Sequence, residues 1–261
     1  MANQYIVRNS RIFCTRWNGL EKGSIFDDAL DDKEYEGNLI SLLSNSCDFV
    51  RNNSKVRFVK EAHYRVDKPD YADRAVTEAI VNALIHRDYI LVGSEIHIDM
   101  YDDRVEIQSP GGMYDGRAIQ DCDIHTVGSA RRNPVIADLF HRMKYMERRG
   151  SGLTKILSET AKLPLYTEQM QPQFFSTPSD FRVVLKNVNY FLSGRTPQAN
   201  IGILLEYCSV PRTREEMMRR LQLSDRKSFK QIYIDPLLAS QKLAMTIPDK
   251  PNSPLQKYVK V

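Results

Sequence analysis

Glu78 and Asn82 stand four residues apart in "EAIVNALIHRDY", a stretch whose apolar residues recur at a helical period. That spacing puts a carboxylate and a carboxamide on one helix face, on adjacent turns. One amide oxygen is enough protein ligand for a magnesium ion that keeps several waters and bridges phosphates. A neighbouring carboxylate can orient or deprotonate an attacking water. A plainer reading makes Glu78 a first-turn acid complementing the helix dipole and Asn82 a surface residue. Further on, "RRGSGLTK" sets Gly150 and Gly152 immediately before a second helical pattern. Backbone N–H groups at such a start, unshielded by Cβ atoms, suit an anion, although glycine pairs there are also ordinary turns. His86, Arg87 and Asp88 crowd the end of the first helix, where Arg87 and Asp88 read as a structural ion pair. His63, His97, His125 and His141 are scattered, with no metal-ligand spacing.

The elements that must position these groups follow from the hydrophobic pattern. Residues 1–23 read as a lead-in segment with strand character in "QYIVRNSRIFCT", the expected end of a preceding domain. Residues 24–53 read as one long amphipathic helix carrying Leu39, Leu42, Leu43 and Phe49. "KVRFVK" is strand-like, and Pro69 and Asp70 announce the Glu78 helix. "SEIHIDMYD" and "RVEIQS" alternate about the polar turn "DDR" and predict a β-hairpin. "NPVIADLFHRM" is a helix with proline in its first turn, and "DFRVVLKN" is a last strand. The turn-rich "LSGRTPQAN" marks a boundary, giving a domain over 24–190, a linker over 191–197 and a small domain over 198–261.

Composition narrows the function classes. With 42% hydrophobic and 27% charged residues, 261 residues can build one large or two smaller soluble domains. No apolar run reaches the roughly 18–20 residues of a membrane span, and no secretory signal opens the chain. Cys14, Cys47, Cys122 and Cys208 lie far apart and read as reduced thiols of a cytoplasmic protein. From Arg195 onward twelve Lys and Arg face six acids, so this segment is +6 and the rest of the chain −2. Such a basic appendix on a near-neutral body suits nucleic acid, and a solvated basic face gives the same count.

Four blocks in order, "EAIVNALIHRDY", "DDRVEIQSPGGM", "SARRNPVIADLF" and "ERRGSGLTKI", resemble the family named after the C-terminal domain of the DNA helicase RecG. Its members are assigned mostly as transcriptional regulators, and the likeness covers roughly residues 20–190. The resemblance implies the GHKL (Bergerat-type) fold shared by gyrase, the heat-shock chaperone, histidine kinases and MutL. That is an α/β sandwich with a mixed sheet and helices on one face. It implies ATP and Mg²⁺ as ligands, with Glu78 as general base and Asn82 on the metal. Gly150, Ser151 and Gly152 would then be the phosphate loop, and residues 123–132 a mobile lid whose Arg131 or Arg132 reaches a phosphate. In the superfamily's Asp-x-Gly-x-Gly block the Asp reads the adenine amino group. Here "QSPGGM" offers Ser109, Gly111 and Gly112, with Ser109 at the Asp position. Hydrogen bonds to charged groups contribute about 1.5–3 kcal/mol and neutral ones about 0.5–1.5. This departure therefore implies weakened adenine binding and argues against hydrolysis. A P-loop is absent, which argues against a helicase motor.

The basic segment reads as a winged helix. Three helices are expected over roughly 198–208, 213–221 and 225–240, with Thr213 and Glu216 forming a capping box and Ser224 capping the third. A Pro-rich turn between two strands forms the wing, similar to the tail of this regulator family and of some Fic-type proteins. Arg226, Lys227, Lys230, Lys250 and Lys257 are the candidate contacts to double-stranded DNA. Such a module also serves for homodimerisation. The expectation is thus a cytoplasmic DNA-binding regulator with a degenerate ATP-binding domain. The alternatives are a slow Mg-dependent ATPase and a scaffold that binds no nucleotide.

Overall fold

In the computed structural model, residues 10–60, 63–91, 93–128, 130–146, 152–192, 197–221, 223, 226–251, 253 and 256–261 are described. For 191, 192, 197–199, 227 and 228 this holds for the backbone alone. The chain forms two compact units, residues 1–17 with 23–189 and residues 18–22 with 190–261.

The first unit is a mixed α/β assembly around a six-stranded sheet. Its strands are β1 (Arg11–Trp17), β2 (Ala29–Glu36), β5 (Ile96–Met100), β6 (Arg104–Pro110), β7 (Gln173–Ser176) and β8 (Asp180–Lys186). They lie in the order β2-β1-β5-β6-β8-β7. β1 and β5 run parallel, and the other neighbours run antiparallel. Strand alternation turns Ile12, Cys14, Ile96, Ile98, Val105 and Ile107 to one face, where they are buried. Helices α1 (Leu39–Asn52), α2 (Asp73–His86), α3 (Pro134–Arg142) and α4 (Gly152–Ala161) contribute to that same core. The alternate side chains of β1, β5 and β6 are mostly polar or aromatic and pair across the strands, β2 included. Thr15 donates to Asp32 at 2.7 Å, the Trp17 indole to Asp99 at 2.7 Å, and Phe13 stacks on His97. A short helix, α5 (Val188–Leu192), ends the run.

Two expectations need correction. The segment read as a lead-in supplies β1, an interior strand of the sheet. The helix expected over 24–53 is confined to Leu39–Asn52, with Asn38 as its cap accepting from the Ser41 N–H at 2.9 Å. Residues 29–36 instead form the edge strand β2. "ALDDKEYE" has no apolar alternation because an edge strand with few buried side chains needs none. "KVRFVK" does yield a strand, β3 (Val56–Lys60), and it pairs with β4 (Arg65–Pro69), for which the sequence carried no strand reading. The hairpin β5–β6 closes at Tyr101–Asp103 as its alternation indicates.

Helix α2 is the centre of this unit. Ala75, Val76, Ala79, Ile80, Val81, Ala83, Leu84 and Ile85 are all buried, so it is apolar nearly all round. That is why its sequence gives only a weak amphipathic signal.

The second unit places α6 (Pro197–Tyr207), α7 (Arg214–Leu221) and α8 (Arg226–Phe229) in sequence. A π-helical turn (Lys230–Ile234), α9 (Asp235–Ala239) and the antiparallel strands β9 (Leu243–Met245) and β10 (Tyr258–Lys260) follow. Its own core is built from Leu204, Met217, Leu221, Phe229, Tyr233, Leu237 and Tyr258 with their neighbours. The capping box is present: the Thr213 N–H donates to Glu216 at 2.8 Å and the Glu216 N–H to Thr213 at 3.2 Å. The third helix is interrupted rather than continuous over 225–240. Pro236 has no N–H for the Ile232 carbonyl, and its ring would crowd that oxygen. The chain loosens there, and the Asp235 N–H reaches the Lys230 carbonyl five residues back. Ser224, the expected cap, lies outside the described residues.

Truncating Ile80, fully buried in α2, to alanine removes apolar contacts on every side. Urea unfolding of Ile80→Ala should show a loss of about 2–5 kcal/mol. A loss under about 1 kcal/mol would show that α2 is not the packing centre.

Candidate functional site

The site is organised by the C-terminal end of α2. The last carbonyls of a helix run out of backbone donors; at the end of α2 the Ala83 carbonyl accepts the Arg87 N–H at 3.1 Å, and side chains supply the further bonds. Three side chains from elsewhere in the chain serve this end of the helix through four bonds. The Ser109 hydroxyl on β6 donates to the Ala83 carbonyl at 2.8 Å. The Tyr89 hydroxyl donates to Leu84 at 2.8 Å. The Asn133 amide, just before α3, donates to Ile85 at 2.8 Å and to Arg87 at 2.7 Å. "HRDY" is therefore a closing device. Arg87 is buried, donates to the Ser94 carbonyl at 2.7 Å and lies over the Tyr89 ring. The expected Arg87–Asp88 pair does not form in that way. Asp88 instead pairs with Arg132, 3.1 Å away and far off in sequence.

Arg132 in turn donates to the Gly112 carbonyl at 2.8 Å, fixing the turn after β6. That turn needs its glycines. Gly111 has φ +95°, and a Cβ there would come within 2.8 Å of Asp88. A Cβ on Gly112 would lie 2.1 Å from the Thr177 carbonyl oxygen.

Between this turn, α2 and the start of α4 lies a cavity of about 140 Å³. It is large enough for roughly ten water-sized positions, so side chains do not fill it. Of the residues singled out in the sequence, Glu78, Asn82, Ser109, Gly111, Gly112, Arg131, Arg132 and Gly152 all line it. Ile107, Met113, Leu153, Phe181 and Val183 make much of its surface apolar. Gly150 and Ser151 lie outside the described residues. Segment 123–132 contributes Ile124, Val127, Gly128 and Ala130 to the wall. The roles expected of the two arginines separate: Arg132 is committed to Asp88 and Gly112, while Arg131 stands 3.8 Å from Asp138.

Glu78 is buried and forms an ion pair with Lys155 of α4 at 3.2 Å. Asn82 touches the other end of the same contact: a Cβ on Gly152 would lie 2.9 Å from its amide nitrogen. Glycine at this position thus lets the start of α4 approach α2. As a metal site the donor set is minimal. Lys155 already places a cation at Glu78, leaving the Asn82 oxygen as the uncharged ligand. Among the described residues no group of three His, Cys, Asp or Glu side chains could hold a metal ion. One neutral oxygen beside a carboxylate already paired with Lys155 is too small a donor set to hold a metal ion by itself.

Lys155, His86, Asp88 and Asn133 were not assigned to the site from the sequence. Asn133 before Pro134 carries a helix-start signal but nothing that announces its bond to α2. His86 lines the cavity, and its imidazole is held down to about 4, first by burial and then by Arg132 and Arg131. It is neutral at physiological pH and offers the cavity a donor and an acceptor.

In the second unit Lys230 contacts both carboxylate oxygens of Asp235 at 2.9 Å, and Arg226 lies 3.8 Å from Glu215. Lys250 and Lys257 are exposed, and the Lys227 side chain lies outside the described residues.

An α/β unit with an acid–amide helix facing a glycine turn across a cavity has the layout of an ATPase-like domain, and comparison with known proteins agrees. Residues 93–185 match the family described as "Putative ATP-dependent DNA helicase recG C-terminal". This part of the chain is similar to that RecG-related, ATPase-like domain family. Residues 200–259 match the family described as "Filamentation induced by cAMP protein Fic-like, C-terminal domain". No curated protein matches the chain. Among solved structures it is similar to the DIP2311 protein from Corynebacterium diphtheriae, with a TM-score of 0.57 and 19% identity. The match covers 90% of this chain and 48% of that one, so the chain spans about half the length of that protein. At this identity the likeness concerns the fold.

The depressed His86 pKa makes stability sensitive to acid. The unfolded chain takes up a proton near pH 6.5 and the folded one only near 4. Stability is therefore fully present above pH 6.5 and falls as pH drops towards 4. Between pH 7 and 5 this one group should remove about 2 kcal/mol. His86→Gln should flatten that part of the urea-midpoint profile by the same amount, and an unchanged profile would contradict it.

Proposed function

We propose that the first unit binds an adenine nucleotide and that the second unit is a winged helix contacting double-stranded DNA. Together they would form a cytoplasmic, nucleotide-responsive DNA-binding regulator. The observation that carries this reading is the convergence of eight separately identified residues on one open cavity. The Ser109 hydroxyl donates its hydrogen bond to the Ala83 carbonyl, so towards the cavity it offers lone pairs only. It thereby keeps the acceptor character that an amino group needs, without the carboxylate's charge. The apolar wall suits the face of a base, and Arg131 supplies positive charge at the rim. Asn82 would hold magnesium carried by the phosphates, whose charge the ion neutralises. Because Glu78 is tied to Lys155, it is a weak base, and hydrolysis is expected to be slow or absent.

The order of three helical segments followed by a two-stranded hairpin supports the winged-helix reading. The likeness to the Fic-like C-terminal domain supports a common tail module. The excess of basic residues from Arg195 onward supports a polyanionic partner. Four free cysteines suit a reducing compartment, and among the described residues no helix is long and apolar enough to cross a membrane. Nucleotide would act by ordering segment 123–132, which requires tighter binding to one arrangement than to another.

Calorimetry with ATP and magnesium should show saturable binding that weakens at least tenfold in Asn82→Ala, with little phosphate released. No heat up to millimolar ATP would remove the nucleotide. A steady turnover lost in Glu78→Ala would replace the regulator by an ATPase. For the second unit, a gel shift at low salt should retain duplex DNA, weaken steeply with added salt and fail in Lys227→Glu/Lys230→Glu. Retention unaffected by that pair would sink the DNA assignment.

A further inference from the structure

The first unit carries two exposed surfaces of opposite charge that its own core does not use. One is the β3–β4 hairpin, whose β3 residues are all exposed. Lys55, Arg57, Lys60, Arg65 and Lys68 face only Glu61 and Asp67, a net +3 over 55–69. Val56, Phe58, Val59 and Tyr64 stand out in solvent, with Phe58 at 58%. Two strands alone are marginally stable in water, and these pair only with each other among the described residues. Arg65 covers one face of Phe58 at 4.3 Å.

The other surface is the loop and edge strand over 25–36. Asp27, Asp28, Asp31, Asp32, Glu34 and Glu36 face only Lys33, a net −5. Ile25, Phe26 and Leu30 are exposed, Phe26 at 97%. β2 is the terminal strand of the sheet, so its outer backbone edge is unpaired among the described residues. Glu34 and Glu36 pair with Arg11 in exposed contacts that hold them only weakly, while Asp31 meets Lys33 at 3.5 Å and Asp32 accepts from Thr15 at 2.7 Å.

The two surfaces are opposite in charge, and each also carries exposed apolar side chains and a strand edge unpaired among the described residues. A nucleic acid would meet the hairpin's charge but leave Ile25, Phe26 and Leu30 uncovered. A second copy of the chain meets all three needs. The surfaces also adjoin, since Asn53, two residues before Lys55, donates to Asp31 of β2 at 3.0 Å. A two-fold axis beside that contact would let both exchanges form together, the closed arrangement most dimers adopt.

We propose that the β3–β4 hairpin of one copy docks on the β2 edge of a second copy, reciprocally, as the dimer interface of this protein. The test is sedimentation velocity on the full chain with paired charge reversals, circular dichroism confirming the fold of each variant. Wild type should sediment as a concentration-dependent dimer that loosens with salt. Arg57→Glu/Lys60→Glu should be monomeric, as should Glu34→Lys/Glu36→Lys. An equimolar mixture of the two should recover dimer, because each then meets its complement. Phe58→Ser, which leaves the charges alone, should weaken the dimer at least tenfold. A monomeric wild type, a dimer that survives both reversals, or a mixture that stays monomeric would overturn the proposal. So would a monomer that retains nucleic acid through the hairpin.

Discussion

The end of a buried helix is the constraint on which the first unit depends. Helix α2 is apolar nearly all round, so it packs at the centre and its last carbonyls cannot be hydrated. A buried carbonyl without a donor costs roughly 1–3 kcal/mol, and α2 presents several at once. Ser109, Tyr89 and Asn133 meet them from a strand, a loop and the start of α3. Those three bonds fix the positions of β6, the Tyr89 loop and the start of α3 relative to α2. The walls of the cavity are therefore set by backbone satisfaction before any ligand enters.

Charge placement follows from the same geometry. Asp88, just beyond the helix end, draws Arg132 across from the segment before α3, and Arg132 then secures the Gly112 carbonyl. The cavity's cationic side is in part structural, which is why two adjacent arginines have different occupations. On the opposite side Lys155 neutralises Glu78. A carboxylate buried without a partner would be costly, and the ion pair relieves that cost while making Glu78 less available as a base. Ser109 carries a similar double duty. An ionised Asp at that position has no hydrogen to give the Ala83 carbonyl, so the serine suits the closure of α2 even as it alters the chemistry of the cavity.

The second unit shows how one residue redirects an element. Its third helix begins as α, passes through a π turn and resumes, because Pro236 withdraws a donor inside the helix. Lys230, at the start of that turn, reaches Asp235 five residues on. A regular helix does not put residues five apart on one face, so the break creates the pair.

Much of the site was legible in the sequence because local rules sufficed. Helical spacing put Glu78 and Asn82 on one face, the glycine-rich stretch before a helical pattern placed Gly152 at the start of α4, and alternation gave β5, β6 and β8. The capping box at Thr213 and Glu216 was equally plain, being a contact between near neighbours. Strands β2, β4 and β7 were hidden, since edge strands and a solvent-exposed hairpin need no buried alternation to record them. The Asp88–Arg132 and Glu78–Lys155 pairs and the service of Asn133 to α2 were hidden for another reason. Each joins residues distant in the chain, and any of many charges or amides could have met them. Sequence periodicity fixes which face a residue occupies; only the folded chain decides what that face meets.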